Sequence, residues 1–117
     1  MAMGMTVDRL AQRLSAKVHF IEQGREIACA YAGDFLSLVM GRAKPGCAWF
    51  TVMNNVNVAA VACLTDCACV VLCEGTKPDP MLLEKCKAHK IPLLSTRHPI
   101  YEACVEFYKA SRDEGIL

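Results

Sequence analysis

Apolar residues recur at two different spacings along the chain, and these spacings predict short helices and strands. Val7, Leu10 and Leu14 follow one another at helical spacing. Thr6 stands just before them, and threonine favours the N-cap position, so residues 6–15 are predicted to form a helix. The rest of this region predicts a strand over residues 17–22, a turn at 23–24, an extended segment at 27–31, and a helix at 35–40 that Asp34 caps and Gly41 ends.

From residue 48 onward, runs of consecutive apolar residues alternate with helical segments. The apolar runs predict buried strands over residues 48–52, 67–73 and 91–95. The segments after them predict helices over residues 56–64, 80–89 and 99–111, and the second of these begins at an Asp79-Pro80 pair typical of a helix start. Strands that are apolar throughout and joined by helices indicate a parallel sheet covered on both faces. The predicted fold class is therefore α/β, a small three-layer domain with a parallel sheet and flanking helices.

The length of the chain and its composition predict a single domain over residues 1–117. The 117 residues suffice for one hydrophobic core, and 54% of them are hydrophobic against 21% charged, which excludes a disordered chain. Residues 1–5 are expected to be a disordered start or a remnant of cloning. Because so large a share of a small, nearly neutral domain is apolar, we expect a homodimer or a higher homo-oligomer.

Charge is balanced along the chain, and this excludes two classes of partner. Thirteen Lys and Arg residues stand against twelve Asp and Glu residues, for a formal net charge of +1. Neither the basic patch of a nucleic-acid-binding protein nor a polybasic membrane-binding segment is visible. The longest apolar runs, residues 58–64 and 68–73, are far shorter than the roughly 18 residues needed to span a bilayer. With no recognisable leader at the N-terminus, we expect a cytoplasmic location.

The chain contains eight cysteines, and their positions favour buried thiols over disulfides or metal ligands. Cys63, Cys67, Cys69 and Cys73 lie in or beside apolar segments, where a free thiol behaves as a small hydrophobic group. The sequence has neither a CxxC pair nor a second pair at zinc-finger spacing. We therefore expect no metal and no other cofactor. A redox or metallocofactor protein is the third-ranked function, motivated by the cysteines alone.

Polar residues follow each of the three predicted parallel strands, at the ends where such sheets bind ligands. They are amides, hydroxyls, one carboxylate and one glycine, namely Asn54, Asn55, Asn57, Glu74, Gly75, Thr76, Ser95 and Thr96. Because the carboxyl ends of parallel strands meet at one edge, this set predicts a binding site for a polar small molecule. Asn54 and Asn55 have an alternative role as caps of the following helix, and Ser95 and Thr96 have one in satisfying loop backbone.

The same edge of the predicted sheet carries no recognisable catalytic motif. Arg97 and His98 come directly before Pro99 and are expected in solvent, and no nucleophile is tied to His98 in a known pattern. His19 is expected on the surface of a strand. Neither a P-loop nor a GxGxxG phosphate-binding loop occurs. These observations predict a protein that is not an enzyme and has no catalytic residues.

Several segments between residues 48 and 108 together resemble the DRTGG domain. They are Phe50-Thr51-Val52 before a polar turn, an Ala/Val-rich helix, Val71-Leu72-Cys73-Glu74-Gly75, Lys77-Pro78-Asp79-Pro80, and Ile91-Pro92-Leu93-Leu94-Ser95-Thr96. Tyr31-Ala32-Gly33-Asp34 is similar to the segment that precedes this core, so the resemblance covers residues 6–110. The domain occurs in HPr kinase/phosphorylase, some phosphotransacetylases and CBS-domain inorganic pyrophosphatases. It also occurs as small stand-alone proteins, which match this chain in length.

The residues that give the family its name are changed in this chain. Asn54-Asn55 stands where the family has an Asp-Arg pair, Asn57 where an Asp follows, and Cys73-Glu74-Gly75 where Thr-Gly-Gly is found. The resemblance implies a fold similar to the N-terminal domain of HPr kinase. It also implies a domain without catalytic activity of its own, because in longer chains the domain accompanies a separate enzyme. That arrangement suggests regulation, assembly or ligand sensing.

These inferences lead to two hypotheses from different functional classes. The first is a non-enzymatic regulatory or ligand-sensing module that binds a polar small molecule, such as a nucleotide, at the carboxyl ends of its parallel strands. The alternative is a structural interaction subunit that docks on a separately encoded enzyme or kinase. The second hypothesis rests on the small size of the chain and on the family's occurrence beside enzymes.

Overall fold

A computed structural model describes residues 5–115 of the chain. In this range the strands are β1 (Met5–Thr6), β2 (Lys17–Phe20), β3 (Glu26–Ile27), β4 (Cys29–Ala32), β5 (Cys47–Thr51), β6 (Cys69–Leu72) and β7 (Leu93–Ser95). The helices are α1 (Val7–Arg13), α2 (Leu36–Arg42), α3 (Asn57–Leu64), α4 (Pro80–His89) and α5 (Ile100–Glu114). The strands and helices therefore alternate from β4 onward.

Five of the strands form one sheet in the order β2-β7-β6-β5-β4. The four strands β4, β5, β6 and β7 are parallel, and β2 pairs with β7 in the antiparallel direction at one edge. The short strands β1 and β3 form a separate antiparallel pair. The structure thus confirms the predicted α/β class, with an antiparallel edge strand added to a parallel sheet.

Helices cover both faces of the sheet and create two cores. Each parallel strand is added beside the previous one in the same direction, so right-handed crossovers place α2, α3 and α4 on one face. Helices α1 and α5 cover the opposite face, where the rings of Phe50 and Phe107 meet edge-to-face with centroids 5.8 Å apart. All five residues of β5 are buried, as expected for a strand covered on both sides.

The start of the described chain differs from the sequence-based expectation. Residues 1–4 of the segment predicted to be disordered or a cloning remnant lie outside the described residues. Met5, the last residue of that segment, is instead a strand residue with 0% exposure that pairs with Ile27. Its side chain packs in the core with α1 and α5, so burial of a large apolar group holds this position in place.

Helix caps are predicted at Thr6, Asp34 and Asp79. The structure confirms the caps at Thr6 and Asp79, whereas the cap at Asp34 is wrong. The Thr6 hydroxyl accepts a hydrogen bond from the Arg9 amide at 3.2 Å, and the Asp79 carboxylate accepts one from the Met81 amide at 3.0 Å. Helix α2 begins after Phe35 and has no side-chain cap. The Asp34 carboxylate instead accepts hydrogen bonds at the end of β5, from the Thr51 hydroxyl and the Val52 amide.

Candidate functional site

The carboxyl ends of the parallel strands form one edge of the sheet, where the loops after β5, β6 and β7 lie side by side. The loop after β6 leads to α4 on one face, whereas the loop after β7 leads to α5 on the other face. Adjacent strands whose loops leave in opposite directions define the crevice where open α/β sheets bind ligands. We name the loops after β5, β6 and β7 the carboxyl edge.

Backbone hydrogen bonds join the loops after β6 and β7 directly to each other. The amide of Glu74 donates to the carbonyl of His98, and the amide of Gly75 donates to the carbonyl of Thr96, both at 2.9 Å. Glu74 and Gly75 reach these partners with φ angles of 62° and 69°, a left-handed conformation that is uncommon for a non-glycine residue such as Glu74. The two amides are therefore occupied, and side chains are left to contact a ligand.

The loop after β5 is attached to the loop after β6 through Asn54. Its side-chain amide donates to the carbonyl of Lys77 at 2.8 Å. The Asn55 side chain accepts from the Asn57 amide at 2.9 Å in the turn before α3, whose N-cap residue, Val56, has no side-chain cap. Neither asparagine therefore occupies the predicted cap position: Asn55 closes the turn before the helix, and Asn54 bridges two loops.

The side chain of Asn57 lines a different surface groove from the loops after β6 and β7. It is exposed at the first position of α3 and lines a shallow groove of about 210 Å³ together with Lys85 and His89 of α4. This groove runs between α3 and α4 on the outer surface of the molecule. The structure therefore does not bring Asn57 together with the crevice between β6 and β7.

Thr96 and Ser95 are engaged in internal hydrogen bonds. Thr96 is 3% exposed, and its hydroxyl donates to the Leu14 carbonyl at 3.0 Å and accepts from the His98 amide at 3.3 Å. The Ser95 hydroxyl lies 2.8 Å from Nε2 of His19 on the neighbouring strand β2. Burial and the positive charge of Lys17 lower the pKa of His19. Both hydroxyls are therefore engaged with protein atoms, and they hold the loop after β7 in position.

Side chains that are free to meet a ligand surround this fixed backbone. Glu74 and Lys77 are exposed, Thr76 is half-buried, and none of the three forms a side-chain hydrogen bond or ion pair with another residue in the described range 5–115. Arg97 is exposed and His98 half-buried on the next loop. A carboxylate, hydroxyl and basic groups therefore lie on adjacent loops.

The loop after β7 borders an open depression of about 250 Å³. Its lining residues come from the end of α1 and from the β7–α5 loop, namely Leu14, Ser15, Thr96, Arg97, His98 and Pro99. Arg97 is exposed, as the sequence predicts, whereas His98 is half-buried against the depression. Ser15 was not predicted, because it joins this group only through the packing of α1.

Asp34 was predicted to cap α2, and the structure gives it a different role. One of its carboxylate oxygens accepts hydrogen bonds from the Thr51 hydroxyl at 2.6 Å and from the Val52 amide at 2.9 Å. The same threonine hydroxyl accepts from the Met53 amide at 3.1 Å. Asp34 thereby fixes the direction in which the chain leaves β5 and enters the carboxyl edge.

A larger depression, of about 390 Å³, lies elsewhere between α1 and β2. Its lining residues are Asp8, Ala11, Gln12, Ser15, Ala16, Val18 and Ile21, which include one acid and no base. A ligand that carries negative charge is therefore better matched by the carboxyl edge, where Arg97 and His98 are placed.

Between residues 5 and 115, no group of three or more His, Cys, Asp or Glu side chains is arranged to hold a metal ion. None of the helices in that range combines the length and apolar character that crossing a membrane requires.

The family model of the DRTGG domain matches residues 9–107, and the chain belongs to this family. The predicted resemblance is therefore confirmed. No curated protein matches the sequence.

A structural match extends this result to the fold. It is the crystal structure of the CBS and DRTGG domains of the regulatory region of Clostridium perfringens pyrophosphatase, complexed with an activator, diadenosine tetraphosphate. The two chains superpose with a TM-score of 0.72 and share 15% sequence identity over 87% of this chain. The match covers 45% of the pyrophosphatase fragment, so this chain spans less than half of its length.

Proposed function

We propose that this chain is a non-enzymatic regulatory domain that acts in the cytoplasm and binds a polar small molecule at the carboxyl edge. The observation that carries the proposal is the meeting of polar loops at the carboxyl edge, where β6 leads to α4 and β7 leads to α5 on opposite faces of the sheet. Three loops are joined there by hydrogen bonds from Asn54, Glu74 and Gly75. A backbone fixed before binding lowers the entropy that a ligand must overcome, and free side chains on both sides supply its contacts.

Within this proposal the residues at the carboxyl edge divide into those that contact the ligand and those that position the loops. Glu74, Thr76 and Arg97 contact the ligand directly, with His98 beside them. Gly75 permits the left-handed turn. The remaining predicted residues are positioning residues that hold the loops, namely Asn54, Asn55, Ser95 and Thr96. Asn57 begins α3 outside the crevice.

The arrangement of charges favours a nucleotide among polar ligands. Arg97 and His98 can pair with phosphate oxygens, because the N–H groups of guanidinium and imidazole side chains donate hydrogen bonds to them. The Glu74 carboxylate can accept hydrogen bonds from ribose hydroxyls or from an exocyclic amine. The nucleotide activator named for the pyrophosphatase structure supports the same ligand class.

A regulatory role is favoured over a catalytic one by the hydrogen bonds around Ser95. This hydroxyl contacts the His19 imidazole at 2.8 Å, which is the geometry of a nucleophile and its base. The adjacent amide of Thr96, however, donates to the Leu72 carbonyl at 2.8 Å within the sheet. Because that amide is occupied, it cannot stabilise a developing oxyanion, and Ser95 serves strand pairing instead.

Thermal denaturation against a ligand panel tests the proposal. The panel contains diadenosine tetraphosphate, adenine and guanine nucleotides, coenzyme A derivatives and sugar phosphates. A ligand at about 100 times its dissociation constant stabilises the folded state by roughly 2.7 kcal/mol, which raises the melting temperature of a domain of this size by several degrees. We expect one chemical class in the panel to give such a shift.

Two matched pairs of variants locate the binding site. Glu74→Gln and Arg97→Gln are expected to weaken binding about tenfold or more, because each removes a charged contact. Glu84→Gln and Arg42→Gln make the same changes at exposed positions on α4 and α2 and are expected to leave binding unchanged. Equal losses in both pairs, or a shift that survives Glu74→Gln and Arg97→Gln, would contradict the site.

The alternative, a structural subunit that docks on a separately encoded enzyme or kinase, is favoured by a different observation. Three large apolar side chains lie at the beginnings of helices that follow parallel strands. They are Phe35, Met81 and Tyr101, with exposures of 66%, 56% and 75%. Since these helices begin beside the carboxyl edge, a partner covering them would border the crevice. Silence across the whole ligand panel, together with a stable complex in light scattering, would favour this alternative.

A further inference from the structure

Helix α3 carries no charge, although one of its faces meets solvent. The sequence has no charged residue from position 45 to position 65, a range that contains the whole helix. The inner side of α3 is buried against the sheet, whereas Ala60, Cys63 and Leu64 are exposed on its outer side. A helix that faces only water on one side normally carries charged or polar side chains there. An uncharged outer face is instead typical of the centre of a protein–protein interface.

Three residues form one row along this outer face, because they are spaced four positions apart. They are Val56, Ala60 and Leu64, and the backbone of Val56 already has helical angles. At one end of the row, the Leu64 side chain is 73% exposed. At the other end, Val56 and Ala60 border the α3–α4 groove of about 210 Å³, whose wall also includes Lys85. The row therefore places a projecting aliphatic side chain about 12 Å from an open groove.

We propose that two copies of this chain form a dimer in which their α3 helices pack in antiparallel directions across a two-fold axis beside Ala60. In this arrangement residue 64 of one copy lies opposite residue 56 of the other. Each Leu64 side chain then enters the α3–α4 groove of the other copy. Both contacts form at once, because Val56 and Leu64 lie at equal distances on either side of Ala60.

The side chain and the groove belong to the same chain, and this makes a second copy the occupant. An unrelated partner must supply both a side chain for the groove and a recess for Leu64, about 12 Å apart. A second copy supplies both through symmetry. The groove holds the volume of several water molecules, at about 30 Å³ each, so the four-carbon side chain of leucine fits into it. The small methyl group of Ala60 allows the two helices to approach closely at the axis.

The surface around α3 is large enough for a stable dimer. A standard interface buries about 800 Å² of each partner, which is about one eighth of the 6310 Å² that this chain exposes. Helix α3 packs between α2 and α4. The Leu38 and Met40 side chains of α2 are 45% and 44% exposed and extend the apolar surface, whereas Lys85 of α4 adds a charged rim. An apolar centre with a charged rim is the usual composition of such an interface.

This interface is independent of the proposed ligand site, because Glu74, Thr76 and Arg97 all lie outside α3. Failure of one proposal therefore leaves the other standing.

Sedimentation equilibrium of the full-length protein tests the dimer, in the presence of a reducing agent so that disulfides do not contribute. We expect a reversible equilibrium between one chain and two. Leu64→Lys should weaken the dimer about a hundredfold or more, because two buried leucine side chains are lost and each new charge lies near a Lys85. Adding Lys85→Glu to this variant should restore part of the affinity. Tyr108→Lys, at a 52% exposed position on α5 across the sheet, is the control and should leave the dimer unchanged.

Cross-linking locates the axis separately. Packed helix axes lie about 8–10 Å apart and each Cα lies about 2.3 Å from its axis, so the two copies of residue 60 come within disulfide range. In a Cys63→Ser background, Ala60→Cys should therefore form a disulfide-linked dimer under mild oxidation. Ala88→Cys, at an exposed position on α4 away from the axis, is the matched control and should not.

The outcomes that contradict the dimer are distinct. A protein that stays monomeric at every concentration would overturn the proposal and leave this face to a different protein. Dimers that withstand Leu64→Lys, or equal cross-linking of Ala60→Cys and Ala88→Cys, would overturn it by placing the contact elsewhere. Circular dichroism checks that each variant is folded, which we expect because Leu64 and Ala60 are both exposed.

Discussion

The Asp34 carboxylate holds the end of a central strand through two hydrogen bonds, and this single group shapes the carboxyl edge. One oxygen receives both the Thr51 hydroxyl and the Val52 amide. Hydrogen bonds to a charged group contribute about 1.5–3 kcal/mol each when buried, and less at a position as open to solvent as Asp34.

Asp34→Ala is therefore expected to reduce the free energy of unfolding by about 1–2 kcal/mol. The loss arises because the Thr51 hydroxyl, which is buried, loses its acceptor. Urea denaturation checks this value, with Glu84→Ala as a control that removes an exposed carboxylate from α4. An Asp34→Ala protein as stable as the Glu84→Ala protein would show that Asp34 does not hold β5.

His19 makes the stability of the folded protein depend on pH, because burial and the positive charge of Lys17 lower its pKa. An unfolded histidine, with a pKa of about 6.5, binds a proton before the folded one does, so stability is full above that pH and falls as the pH drops below it. We expect urea midpoints to decline between pH 7.5 and 5.5.

The His19→Asn variant should show a weaker decline over the same range, whereas His89→Asn, at an exposed position on α4, should decline as the unchanged protein does. A decline of equal steepness in both variants would exclude His19 as its source.

At the scale of the elements, the strands and helices from residue 48 onward could be predicted from sequence. Long apolar runs become strands buried on both faces, and the Asp79-Pro80 pair begins α4 where expected. The ribbon of β1 and β3 could not be predicted, because each strand has two residues and exists only through packing. The antiparallel direction of β2 was equally hidden, since alternation in a strand carries no information about its partner.

The polar edge of the sheet was predictable from sequence, whereas the contacts of its side chains were less so. Polar residues after apolar strands indicate which edge is polar, because parallel strands end together. Sequence does not tell whether a hydroxyl such as Thr96 faces a ligand or a carbonyl of α1, since that depends on distant packing. For the same reason Asn54 could be read as a cap, although it bridges to Lys77.

This bridge leads to a prediction about the loops themselves. Asn54→Ala removes the hydrogen bond between the loops after β5 and β6 and should cost about 1 kcal/mol of stability. It should also speed amide hydrogen exchange at residues 74–77, because the loop after β6 loses one attachment. Asn57→Ala, whose side chain lies in the α3–α4 groove, is the matched control for both readouts. Unchanged exchange in Asn54→Ala would mean that the other bonds suffice to fix the loop.

At the scale of the whole molecule, strand order decides which loops lie together. Because β6 leads to α4 and β7 leads to α5 on opposite faces of the sheet, the polar side chains of both loops meet at the carboxyl edge.

The central claim is that the carboxyl edge binds a polar small molecule, and chemical-shift mapping of the ¹⁵N-labelled protein tests it most directly. The ligand is the member of the panel with the largest thermal shift. If the ligand binds at the carboxyl edge, the perturbed amides cluster at residues 74–77 and 96–98. Perturbations centred on the larger depression between α1 and β2, around Gln12 and Val18, would contradict it.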